Sequence, residues 1–437
     1  MSVVLIGLRV VVVCMIGALC FGAGPKSSGS HSVGVQADRA FDDTQVQPVL
    51  DPDSFSCIIL GDSQLSGPNS NGVRTQMHGW DSNFVGDLVT VGNNASGYEA
   101  TMGNAGNPDL FYRPVDVSTG WGDSGPRDFF AVAGHEWRCF ADIPSNGARI
   151  ARYRLNFSVL NTDSPWDESW GVGENIVARI AIRNNPNSVR AIQTRPERGE
   201  LIVGQLGRTH ILDQGWGIQI IEQRIPASID PDADRMGVGL FFPPNRTEED
   251  GMNLQVLGVT FHKADRFWNI ERGTFIGYQG RASFSVWDHI ELFSQQSRVA
   301  LIEMIDPDYI MIMLGHNTEA NGFLSYEPGL IMLSKLWDSA FTSLRRPRPS
   351  FIFVSPWGVG LSDEQPYLGA ANRVNERIGM SARTKWYVSL FDRYDRVSPE
   401  VFDPATYNMD LWHVHPQDAA TGRRIAEDLY DLLFLEE

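Results

Sequence analysis

Cysteine is scarce in this chain. Its 437 residues hold four, and two of these, Cys14 and Cys20, sit in an apolar run near the N-terminus. No CxxC and no Cys/His spacing of a zinc site occurs, which argues against a disulfide-framed scaffold or a zinc module, and no metal is expected. Cys57 and Cys139 remain. Export would permit a disulfide between them, and a buried free thiol fits equally, because Cys57 lies in an apolar run. Basic clusters are also lacking. The formal net charge is -17, and Arg345-Arg346-Pro347-Arg348 is the one basic run of note, read as a solvated loop before a strand. A nucleic-acid partner would need a basic patch or stripe, so none is expected. The longest apolar run, near the N-terminus, has the length of a signal h-region and is short for a membrane span. Val10 to Phe21 follows Arg9 and precedes Gly22-Ala23-Gly24, which matches an export signal (residues 1–24). Cys20 lacks the small preceding residue of a lipoprotein signal, so no lipid anchor and no stable membrane partner are expected; an uncleaved anchor is the rival reading. The location expected is secreted or cell-envelope.

What the chain does have is core material. Hydrophobic residues make up 42% and aromatics 11%, with 12 Trp, enough for two domains. Residues 25–50 are rich in Ser, Gly, Asp and Gln and read as a flexible linker. Cys57 to Leu60 is a short apolar run ending at Gly61-Asp62-Ser63, the pattern of a buried strand and a tight turn. Similar runs recur at 309–314, 351–354 and 386–391, separated by helical stretches at 330–344 and 370–380. A last helix spans 417–434, with Pro416 at its start. Strands alternating with helices imply a parallel α/β sheet. The middle differs: from Asp128 to Lys263 short β-type runs, such as Ile176 to Ile182 and Leu254 to Phe261, are punctuated by Gly, Pro, Asn and Asp. That spacing predicts a β-sandwich inserted at 128–263. Residues 51–127 then carry the first part of the α/β domain with a long loop, and 264–437 carry the second part.

Acyl transfer by serine needs an activated hydroxyl, donors aimed at the developing oxyanion, and a base held by an acid. Ser63 opens a turn after a strand, which puts its hydroxyl at the carboxyl edge of the sheet, where ligands gather in such folds. Gly315-His316-Asn317 also follows an apolar strand, and the Asn317 amide can donate to an oxyanion. Gly277 to Ser283 reads as a Gly-rich turn whose backbone N–H groups can do the same. Asp410-Leu411-Trp412-His413-Val414-His415-Pro416 precedes the last helix, and Asp410 can reach the ring of His413 within one loop.

Taken together, a strand ending in Gly-Asp-Ser, a Gly turn, a strand ending in Gly-x-Asn and a terminal Asp-x-x-His resemble the SGNH (GDSL-like) hydrolase superfamily. The resemblance covers roughly residues 55–90 and 265–437. It implies a flavodoxin-like three-layer α/β/α fold, here interrupted by the inserted β-sandwich, which would be jelly-roll-like. It also implies Ser63 as nucleophile, the N–H groups of Ser63 and Gly280 with Asn317 as oxyanion hole, and Asp410 with a histidine as base pair. His413 completes the Asp-x-x-His spacing, while His415 is the one followed by Pro; His413 is favoured and His415 is the alternative. Thr318 stands where the superfamily usually has Asp.

The interrupted arrangement is similar to bacterial peptidoglycan and polysaccharide O-acetylesterases. The expected activity is therefore removal of acetyl or another short acyl group from an extracellular glycan, an acylated polysaccharide, without any cofactor. A lipase or acyltransferase on the same triad, and a glycan-binding surface protein with an inactive esterase unit, are the alternatives. Trp166, Trp170 and Trp216 are the candidate sugar-stacking residues.

Overall fold

The computed structural model describes residues 50–51, 54–62, 97–100, 112–117, 121–123, 137–139, 154–159, 173–184, 190–198, 201–202, 207–213, 215, 217–227, 236–241, 255–273, 275–280, 284–317, 325–355, 366–382, 384–390 and 419–434. The export signal and most of the linker lie outside them. Among the described residues no helix is long and apolar enough to cross a membrane.

The chain enters the fold through strand β1 (Ser56–Gly61), all six of whose residues are buried. A strand covered on both faces has no polar alternation, which is why Cys57-Ile58-Ile59-Leu60 reads as one apolar run. Twelve strands follow before the parallel sheet resumes. They are β2 (Gly97–Ala100), β3 (Tyr112–Val117), β4 (Trp121–Asp123), β5 (Trp137–Cys139), β6 (Arg154–Val159), β7 (Asn175–Arg183), β8 (Ala191–Arg198), β9 (Leu201–Ile202), β10 (Arg208–Ile211), β11 (Ile218–Ile225), β12 (Met236–Phe241) and β13 (Gln255–Ala264). They form two six-stranded sheets, β10-β8-β12-β6-β3 with β9 beside β8, and β11-β7-β13-β5-β4 with β2 beside β13. Every pairing in them is antiparallel. Three of these strands, β2 to β4, precede residue 128, in the stretch that the sequence presents as a long loop. They are short, and β2 and β3 pair with strands well along the chain, β13 and β6, so no local alternation marks them.

The parallel sheet then completes itself with β14 (Phe275–Gly280), β15 (Tyr309–Ile312), β16 (Ser350–Val354) and β17 (Lys385–Val388), in the order β14-β1-β15-β16-β17. Its pairings are parallel throughout. Numbered by appearance within this sheet, the order is 2-1-3-4-5, that of flavodoxin-like doubly wound folds. One expectation is corrected here: of the turn expected from Gly277 to Ser283, Gly277 to Gly280 belong to strand β14, and residues 281–283 lie outside the described residues. Residues 275–280 are an edge strand in register with β1, from Ser56 opposite Phe275 to Gly61 opposite Gly280. Its glycines weaken the strand signal in the sequence, and only the neighbouring strand supplies the reason to extend.

Helices α1 (Val286–Glu291), α2 (Gln295–Ile305), α3 (Tyr326–Ser343), α4 (Pro366–Gly379) and α5 (Ala419–Phe434) accompany the sheet. Side chains alternate across each strand. Ile58, Leu60, Ile310, Ile312, Phe351 and Phe353 share one buried cluster with Leu330, Leu333 and Trp337 of α3 and with Val374 and Ile378 of α4. On the opposite face Phe55 stacks on Tyr309 at 5.0 Å and meets Phe434 of α5 edge-on at 5.2 Å. Helices therefore lie on both faces, and burying each such aliphatic or aromatic side chain contributes up to ~2–3 kcal/mol. A β-bulge between Val256 and Gly258 displaces Leu257, which joins the cluster of the parallel sheet. Arg179 of β7 bonds the carbonyls of Glu303 and Met304 at the end of α2, at 3.0 and 3.3 Å. There a cation complements the helix dipole.

Cys57 is a free, fully buried thiol, so the pairing with Cys139 is not made. Burial raises its pKa well above the usual thiol range. Alkylation of the native protein followed by peptide mapping is expected to leave Cys57 unmodified, and alkylation in denaturant to modify it. Modification at equal rates in both would contradict the buried strand.

Candidate active site

In a 2-1-3-4-5 sheet the chain leaves the first strand in one direction and returns on its other side. The crevice therefore lies outside the carboxyl ends of β1 and β15. Gly61-Asp62 is the end of β1 and runs directly into Ser63. Met313 to Asn317 follows β15, and the Met313 N–H donates to the Leu60 carbonyl at 2.8 Å, so the two ends travel together one step past the regular ladder. Gly315 then adopts φ 143°, a conformation open to glycine and strained for other residues, and the chain turns across the sheet edge.

One side chain of this turn approaches the end of β1, and the next bonds the segment just ahead of α1. His316 places Nδ1 3.9 Å from Oδ2 of Asp62, with both side chains almost wholly buried. Asn317 donates from Nδ2 to the carbonyl of Phe284 at 2.9 Å. An amide has two N–H donors, and this bond commits one while fixing the plane of the other. Gly280, the last residue of β14, sits opposite Gly61. Three of the sequence-selected elements, Gly61-Asp62, Gly280 and Asn317, are thus brought to one edge.

Residues that no motif announces hold them there. Helix α1 begins with a capping box in which Ser285 accepts from the Asp288 N–H and the Asp288 carboxylate accepts from the Ser285 N–H at 2.7 Å. One turn on, His289 is buried, and its Nε2 lies 2.8 Å from the Gly61 carbonyl. A carbonyl only accepts, so Nε2 carries the proton. Burial pushes the His289 pKa down to about 4, against the opposing effect of the Gly61 bond, and the ring is neutral near pH 7. The buried Arg298 guanidinium donates to the His289 carbonyl at 2.9 Å, at the end of the same helix. Beside β15, the Tyr326 hydroxyl lies against the Leu314 carbonyl and 2.9 Å from the Asn375 amide oxygen. Asn375 in turn donates from Nδ2 to the carbonyls of Leu314 and Val354, at 3.4 and 3.3 Å. Such buried networks specify geometry because each unmade bond is costly. The Ser285-x-x-Asp288 pattern is the one local signal that could have pointed to α1; nothing local points to His289 or Asn375.

Ser63, Asp410, His413, His415, Trp166, Trp170, Trp216 and Thr318 lie outside the described residues. Among the described residues no group of three or more His, Cys, Asp or Glu side chains has an arrangement that could hold a metal ion.

Among solved structures, a peptidoglycan O-acetylesterase matches over 87% of this chain and 91% of its own, with a TM-score of 0.57 and 12% identity. The chain has that protein's fold. Smaller likenesses are to the protein YxiM of Bacillus subtilis, at 10% identity, TM-score 0.31, over 77% of this chain and 97% of that one. An acetylxylan esterase of Geobacillus stearothermophilus matches at 18% identity, TM-score 0.27, over 37% and 73%. No family model matches the chain, and no curated protein matches it in sequence. The first likeness extends across the antiparallel sheets as well as the parallel one, since its coverage exceeds the share that the α/β part alone could supply.

Proposed function

We propose that this protein is an exported serine esterase that removes acetyl or other short acyl groups from an extracellular glycan. The observation that carries this reading is the meeting of Gly61-Asp62, Gly280 and Asn317 at the carboxyl edge of a 2-1-3-4-5 sheet, with Ser63 the next residue in the chain. In this reading residues 51–127 and 264–437 form the hydrolase domain, and the two antiparallel sheets pack as a β-sandwich whose Trp166, Trp170 and Trp216 stack on sugar rings.

The reaction proceeds through an acyl-enzyme. His413, oriented by Asp410, takes the Ser63 proton as Oγ attacks the ester carbonyl. The N–H groups of Ser63 and Gly280 and the Asn317 amide take up the oxyanion. Collapse of the tetrahedral species breaks the bond to the sugar oxygen, which leaves with the proton from His413. Water, deprotonated by His413, then attacks the acyl-enzyme, releasing the carboxylic acid and restoring Ser63.

A second reading of the base has an observation of its own, the approach of His316 to Asp62. A fluorophosphonate, with mapping of the modified peptide, tests the nucleophile and the base together. Labelling is expected at Ser63 in the wild type, to be lost in His413→Ala, and to persist in His415→Ala and His316→Ala. Loss only in His316→Ala would move the base to that residue, and absence of any label on a folded wild type would leave a glycan-binding protein with an inactive esterase unit. Comparing acetyl with long-chain esters, and testing transfer to sugar acceptors, separates the esterase from a lipase or acyltransferase.

A further inference from the structure

The end of β1 has a partner well outside the motifs. Gly61 is two residues before Ser63, and its carbonyl receives the Nε2–H of His289, 228 residues away in sequence, at 2.8 Å. His289 cannot drift, because α1 is held at several points. Its start is capped by Ser285 and Asp288, its end by Arg298, and the Phe284 carbonyl just before it is bonded by Asn317. Edge-on contact with the Phe284 ring at 5.5 Å packs the imidazole from the side. Gly329 of α3 lets that helix close on α1, since a Cβ there would come within 2.6 Å of Val286 Cγ1. One short helix therefore bonds both to the strand end that leads into Ser63 and to the amide assigned to the oxyanion.

We infer that His289 is a positioning residue of the esterase: through its bond to the Gly61 carbonyl, α1 holds the end of β1, two residues before Ser63 in sequence, in place relative to the Asn317 amide. This rests on Ser63 being the nucleophile. The role assigned to the ring is to act through Gly61 and not on the substrate. It is a rigid strut with a neutral donor, and its burial keeps it neutral over the working range of a hydrolase. The consequence is a loss in the chemical step with substrate binding preserved. Displacing a reacting group by about an ångström costs on the order of 100-fold.

Two substitutions separate reach from polarity. In His289→Gln the side-chain amide nitrogen falls near the position of Nε2. In His289→Asn it stops near Nδ1, short of Gly61. The expected result for His289→Asn is a kcat for an aryl acetate about 100-fold below wild type with KM within about threefold, and fluorophosphonate labelling slowed in parallel. His289→Gln is expected to recover kcat to within about tenfold of wild type. The pH profile of His289→Asn keeps the wild-type shape, because the base is elsewhere. Folded Gln and Asn variants with the same kcat overturn the inference. Should His289→Asn not fold, Ser285→Ala loosens the same helix at its cap. A kcat about threefold to tenfold lower at unchanged KM is then expected, and an unchanged kcat overturns the inference. Ser63→Ala, run alongside, keeps the two questions apart: hydrolysis that survives it removes the serine-esterase reading and not merely the role of His289.

Discussion

Ser63→Ala is expected to lower kcat/KM for an aryl acetate by at least about four orders of magnitude while leaving the unfolding transition in place. In the proposed mechanism the Ser63 hydroxyl is the group that forms the acyl-enzyme, so its removal takes away the covalent route. The donors assigned to the oxyanion, the N–H groups of residue 63 and Gly280 and the Asn317 amide, remain in the variant, and donors alone retain only the residual rate enhancement of an oxyanion hole. Asn317→Ala gives the comparison. It removes one donor and should cost about 100-fold to 1000-fold in kcat, clearly less than loss of the hydroxyl. Near-wild-type turnover in a folded Ser63→Ala protein would remove the serine mechanism.

Acidification from pH 7 to about 5 is expected to destabilise the protein by roughly 4 kcal/mol, about 2 from each of two buried imidazoles. His262 of β13 is fully buried, with its Nε2 2.9 Å from the Thr260 hydroxyl oxygen and its ring stacked on Phe275 at 5.1 Å. Burial first, and then the nearby Arg179 charge, push its pKa down to about 3. His289 is pushed down to about 4. Both folded values lie below the unfolded reference of about 6.5. The unfolded chain therefore binds protons first as pH falls, and stability is lost from about 6.5 down to the folded values. Ordinary carboxylates titrate mostly below pH 5, so the upper part of the window isolates the histidines. Denaturant unfolding at the two pH values measures the change, and His262→Gln should remove about half of it. Equal stability at pH 7 and pH 5 would show that neither ring is buried as described. A loss of this size is a large share of the ~5–15 kcal/mol typical of a domain.

Both predictions draw on features of unequal visibility in the chain. Strands β1, β15, β16 and β17 are apparent because a strand buried on both faces must be apolar throughout, and helices α3, α4 and α5 because their apolar residues recur at helical spacing. Edge strand β14 is obscured: Gly277 and Gly280 look like a turn until β1 lies beside them. Strand β2 is hidden for the same reason, since its partner β13 lies more than 150 residues later, and β3 and β4 are too short to show alternation. Asn317 is visible as part of a strand-Gly-x-Asn pattern, yet its tie to Phe284 is not, and His289 carries no mark at all.

The order of residues along the chain was sufficient to determine the class of fold, the strand that leads into Ser63, and the strand-Gly-x-Asn pattern that ends at Asn317. These follow from local periodicity and from motifs a few residues long. Only tertiary structure decided that Cys57 stays a free thiol, that residues 275–280 are a strand, that His316 faces Asp62, and that His289 braces Gly61. Each of those is a contact or a register set by elements remote in sequence, and such geometry is fixed by close packing of the whole core rather than by any local preference.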